Sequence, residues 1–186
     1  MKLRTMLPAA AVVIGSALLV AAPAGATTAS ETLTAGSLGF ASTPGSVTFP
    51  ATTLDGANKT VTAAQPLDIA DATGSGAGWN VTATSTLFTA GGHALSAGST
   101  TITSAPTGPT CDTNVTCTVG GARTVSYPYS LPAAATAPTA TKMFNAPAGT
   151  GMGDQTVTPT WTLAIPANAY AGNYTSTWTL SLVSGP

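Results

Sequence analysis

Period-two alternation recurs along this chain, and no stretch sustains a capped helical repeat. In the closing run YAGNYTSTWTLSLVSGP, Tyr174, Ser176, Trp178, Leu180 and Leu182 share one strand face. Thr175, Thr177, Thr179 and Ser181 share the other, and β-branched threonine suits a pleated surface half in water. Residues 79–89 and 155–166 alternate in the same way. Shorter strands are expected at 37–42, 46–49, 100–104 and 141–145, and at 59–70 with Pro66 marking an edge or a bulge. Residues 116–131 are expected to fold back through Gly120-Gly121, and 131–140, LPAAATAPTA, to form an extended connector. The pattern predicts an all-β chain, a two-sheet sandwich of about eight to ten short antiparallel strands.

The first residues stand outside that pattern. Two basic residues precede an apolar run at 7–20, and Ala24-Gly25-Ala26 offers small residues at a cleavage site, the signature of a secretory signal peptide over residues 1–26. Its removal from the 186 residues leaves 160, one domain over 27–186. No later stretch approaches the roughly 20 apolar residues of a spanning helix, so the mature chain is expected to lack a membrane span. No hydrophobic segment with a basic tail closes the chain, so retention at a cell surface is expected to be non-covalent.

Three bases (Lys59, Arg123, Lys142) and six acids follow residue 26, a formal charge of -3. Scattered bases are poorly placed to neutralise a phosphate backbone, so nucleic acid is not expected as a partner. Only 6% of the chain is charged, against an ordinary share of about 25%. Thr, Ser, Asn and Gly must carry the surface, which suits a secreted β-protein working against a polar matrix.

All three tryptophans sit in one local pattern, an aromatic and an aliphatic two apart: Trp79-Asn80-Val81, Trp161-Thr162-Leu163 and Trp178-Thr179-Leu180. Two readings stand. The indoles line a core between two sheets, each hiding about 150 to 250 Å² from water; or one or two of them stand on the surface as platforms for sugar rings or for a partner's apolar patch. Before Trp79 runs Asp71-Ala72-Thr73-Gly74-Ser75-Gly76-Ala77-Gly78. Glycines at alternate positions permit backbone angles closed to other residues and a close approach of two chains, and Asp71 caps such a turn. Without a following lysine and helix the run is no phosphate cradle, and Asp68 with Asp71 is too few oxygens for calcium. The expectation is a structural turn, with no metal and no cofactor.

Cys111 and Cys117 are expected to pair outside the cell. A loop that short contributes only about 2 to 2.5 kcal/mol by chain entropy. His93, the single histidine, sits beside Gly92 with no nucleophile or orienting acid marked for it, so no enzyme is expected.

The pairing of DATGSGAGWNV at 71–81 with IPANAYAGNYTSTWTLSLVSGP at 165–186 resembles the WxL-domain family of Gram-positive bacterial surface proteins. The similarity runs from about Thr32 to the end. Members carry two Trp-x-Leu motifs, the first after an Asp and Gly-rich turn and the second near the C-terminus. Val81 stands where the family favours leucine, and Trp161-Leu163 lacks the usual context. The resemblance implies non-covalent attachment to the cell wall, with peptidoglycan or another wall glycan as ligand and other surface proteins as partners. It places the determinant on Trp79, Val81, Trp178 and Leu180, with Tyr174 beside them.

Overall fold

A computed structural model describes residues 27–119 and 123–186. The expected signal peptide and the Gly120-Gly121 turn lie outside the described residues. Residues 27–33, the described part of a first unit ending at Leu33, are exposed and carry no strand. The second unit, Thr34–Pro186, holds every strand among the described residues.

In chain order the strands are β1 (Leu38–Phe40), β2 (Lys59–Ala64), β3 (Leu67–Asp71), β4 (Trp79–Thr86), β5 (Thr89–Ala90), β6 (His93–Ala94) and β7 (Thr100–Ile102). There follow β8 (Thr107–Cys111), β9 (Tyr129–Ser130), β10 (Ala133–Ala134), β11 (Thr141–Ala146), β12 (Gly153–Thr158), β13 (Thr160–Ile165) and β14 (Trp178–Ser184). There is no helix among the described residues. The chain is all-β and consistent with a sandwich, as its alternation predicts. Among the described residues, four of the fourteen strands are two residues long, which leaves ten longer ones.

One layer is built on β4. Strand β14 runs antiparallel along one of its edges, and β11 and β10 share the other, β10 being parallel. The opposite layer is a long antiparallel ribbon of β2 and β3 against β13 and β12. Its register is unbroken: Val157 lies opposite Leu67 and, three residues on in each strand, Thr160 lies opposite Ala64. The ribbon parts only at Pro66 and Pro159, neither of which has an N–H to give the ladder. One bond crosses the break, from the Gln65 backbone N–H to the Pro159 carbonyl at 3.0 Å. Strands β1 and β8 widen the ribbon at its β3–β12 half, and β7 and β9 widen it at the β2–β13 half.

Between the layers Leu67, Ile69, Val157 and Trp161 meet Trp79, Val81 and Phe144 in one buried cluster. Strand β4 buries Trp79, Val81, Ala83 and Ser85 on its inner face, the set its alternation predicts. Residues 46–49 are no strand: Pro44 and Pro50 flank them, and Val47 and Phe49 pack singly against the core. In the 116–131 stretch the described residues form only β9, and the extended connector contributes the short β10.

Candidate functional site

The two motif tryptophans lie on paired strands and point into the same side of the sheet, yet they do not meet. Trp178 is opposite Ser85 and Ser184 is opposite Trp79, so six residues of strand separate the indoles, roughly 20 Å. Each marks one end of the β4–β14 pair, and the two ends differ.

At the Trp79 end the sandwich is closed. Trp79 and Val81 are 0% exposed, so neither presents a surface to a ligand, and their expected place in a binding determinant gives way to one in the core. The reason lies in the Gly-rich turn and the loop at 147–152. Gly74, Gly76 and Gly78 all adopt positive φ, and a Cβ on Gly78 would stand 2.4 Å from the Ala146 carbonyl oxygen. Only glycine lets the turn lie so close to the neighbouring chain. Asp71 holds its start, accepting from the Thr73 N–H and hydroxyl at 3.0 and 2.7 Å. The Trp79 N–H donates to the Gly151 carbonyl at 3.0 Å, and the ring lies 5.9 Å from that of Phe144. Gly151 is held in turn by its N–H bond to the Thr118 carbonyl, just past the Cys111–Cys117 disulfide.

At the Trp178 end the sandwich is open. Trp178, Leu180 and Tyr174 are half-buried and line a groove of about 450 Å³. The indole packs edge-on to the buried Trp161 at 4.8 Å and near Phe49 and Phe88 at 6.5 and 6.3 Å. Its ring nitrogen has no acceptor among the described residues, whereas Trp79 donates to Gly151 and Trp161 to Gln65. A tryptophan N–H is a donor only, so this one remains available to whatever enters the groove.

Two banks shape the groove, and hydrogen bonds to the core place them. Gln65 accepts from the Trp161 N–H at 2.9 Å and donates to the Gly45 carbonyl at 2.9 Å, which ties the 44–50 segment to the ribbon. Opposite it, the 173–176 segment is held by backbone bonds between Thr175 and Thr89, and by the Ser176 hydroxyl donating to the Thr86 carbonyl. Buried Leu163 lies on the floor. Among the described residues none lining this groove is charged, and Asn173, Thr48 and Ser46 supply polar groups beside the rings. Apolar rings with a few convergent polar groups are the usual make-up of a small-molecule or sugar site.

The chain matches no family model, no curated protein and no solved structure.

Of the residues expected in a binding determinant, Tyr174, Trp178 and Leu180 share the groove, while Trp79 and Val81 do not reach it. Phe49, Phe88, Gln65 and Asn173 join it as well; alternation places the first three in or beside strands but gives no sign that distant segments bring them together, and Asn173 lies outside any alternating run. Asp68 and Asp71 fall on opposite faces of β3, Asp71 buried in its turn and Asp68 outward. Across the ribbon Asp68 converges with Asp112 and Asp154, whose carboxylate oxygens lie within 4.8 Å of one another. Burial, then the neighbouring charges of Asp68 and Asp112, push the Asp154 carboxyl up from 3.8. Thr156 donates to Asp112 at 2.9 Å, but one oxygen each of Asp68 and Asp154 is buried without a partner. Burial also pushes the Tyr127 phenol up to about 12, which keeps it a donor to the Met143 carbonyl at 2.7 Å.

Proposed function

We propose that this is an exported surface protein that holds to the bacterial cell wall without a covalent link, by binding wall glycan in the groove at Trp178. The observation that carries the reading is the contrast among the tryptophans: two are buried with their N–H groups bonded, and the third lines an open groove with its N–H unclaimed. A sugar ring has apolar faces and a hydroxyl rim. Trp178, Phe49 and Phe88 offer apolar surface to the first, and the indole N–H, Asn173 and the bank hydroxyls offer partners to the second. The resemblance to WxL domains points the same way and names peptidoglycan as the wall polymer. No helix among the described residues is long and apolar enough to cross a membrane.

A second reading, a subunit that docks on another surface protein, draws on the free edge of β14. That strand hydrogen-bonds to β4 alone among the described residues, and although β1 lies near part of it, its other edge keeps backbone groups that no strand pairs.

One experiment separates the two. The mature protein is spun down with Gram-positive sacculi that have been stripped of protein, and in parallel with untreated walls. Co-sedimentation with stripped sacculi is expected. Binding to untreated walls alone would transfer the case to the protein partner, and binding to neither would end both.

A further inference from the structure

A second groove, about 520 Å³, lies beside the first and shares Phe49, Leu163, Asn173 and Tyr174 with it. Its floor includes Val61 and Ile165 on the inner face of β2 and β13, and Tyr170 stands on its bank. No residue lining it is charged, again among the described residues. The two hollows are thus neighbours with Tyr174 between them, uncharged from one end to the other.

The bank at 170–175 is held more firmly than an exposed loop requires. The small β5–β6 hairpin grips it at three points. Thr89 and Thr175 exchange both backbone hydrogen bonds, at 2.9 and 3.0 Å. A Cβ on Gly172 would come 3.0 Å from that of Ala90, so the two chains touch. The His93 ring lies flat on the Tyr170 ring, centroids 3.5 Å apart and planes 9° from parallel. Within the bank, the Tyr174 hydroxyl donates to the Tyr170 carbonyl at 3.1 Å. Tyr170 is nevertheless 62% exposed. A ring that stays wet adds little to folding, while a ring already fixed in place spares a ligand the entropy of ordering it.

We propose that the two grooves are one cleft for an internal stretch of a linear, uncharged glycan, with Trp178 serving one sugar and Tyr170, backed by His93, serving another. The proposal rests on the glycan-binding reading above and adds to it a second position and a charge rule. A polyanionic wall polymer would find no cation along either groove. His93 acts through Tyr170 and is a positioning residue.

The test titrates the mature protein with N-acetylglucosamine oligomers, the disaccharide and the hexasaccharide, by calorimetry. The hexasaccharide is expected to bind at least about fivefold tighter than the disaccharide, the gain of one stacked ring. In Tyr170→Ala that ratio is expected to fall to near one, Tyr170→Phe to keep it, and His93→Ala to lose part of it. A thermal melt close to that of the parent establishes that each variant is folded. A ratio near one in the parent, or a ratio that survives Tyr170→Ala, overturns the second position while leaving a single glycan site at Trp178 standing. Displacement of the hexasaccharide by a glycerol-phosphate polymer overturns the charge rule. Failure of both oligomers and of stripped sacculi to bind overturns this inference together with the reading beneath it.

Discussion

The two ends of the β4–β14 pair carry nearly the same local sequence, a tryptophan two residues before an aliphatic, and come to opposite ends. At Trp79 a Gly-rich turn and the 147–152 loop close over the ring, and the Gly151 carbonyl takes its N–H. At Trp178 the flanking segments stand apart as banks, and the N–H is left open. The motif supplies a large apolar side chain on an inner face. What surrounds the end of the strand decides whether that side chain stabilises the fold or meets a ligand.

The largest effect should come from Trp79→Ala, which empties the closed end. A cost of about 3 to 5 kcal/mol is expected in urea unfolding, enough to unfold much of the protein. Trp178→Ala, from a half-buried site, should cost only about 1 to 2 kcal/mol and leave a folded protein. Equal costs would erase the contrast between the ends. Gly78→Ala ranks second to Trp79→Ala, at about 2 to 4 kcal/mol, since it meets both a positive φ and the Ala146 carbonyl. Replacing Cys111 and Cys117 together by serine should lower stability by about 2 kcal/mol. Wall binding should persist there, because the disulfide supports the closed end through Thr118 and Gly151.

The smallest effect comes from the three carboxylates beside the closed end, which touch neither tryptophan, and serves as a control. Asp154→Asn should raise stability at neutral pH by about 0.5 kcal/mol by relieving like charges across strands. Because the folded-state pKa of Asp154 is raised, the native state binds this proton more tightly than the unfolded one. The parent should therefore close the gap to Asp154→Asn as pH falls through the raised value towards 3.8, and lose that ground as pH rises again. Thermal melts of both proteins across that range measure it. A gap independent of pH would remove the charge from the explanation.

Much of the scaffold was legible in the residues. The inner and outer faces of β4 and β14 follow from strict alternation, and the turn before Trp79 follows from three glycines spaced for positive φ. Which tryptophan would stay open was not legible, because it depends on segments distant in the chain: 44–50 held through Gln65, and 170–176 clamped by β5 and β6. Residues 46–49 alternate like a strand, but prolines on either side deny them a ladder, and they become a bank. The meeting of Asp68, Asp112 and Asp154 needs the pairing of β3, β12 and β8, which no local pattern announces.

The most direct test of a ligand-binding open end is the sedimentation of folded Trp178→Ala with protein-free sacculi beside the parent protein. The account predicts that the parent pellets and the variant stays in the supernatant with a near-parental melt. A folded variant that pellets as the parent does would contradict it.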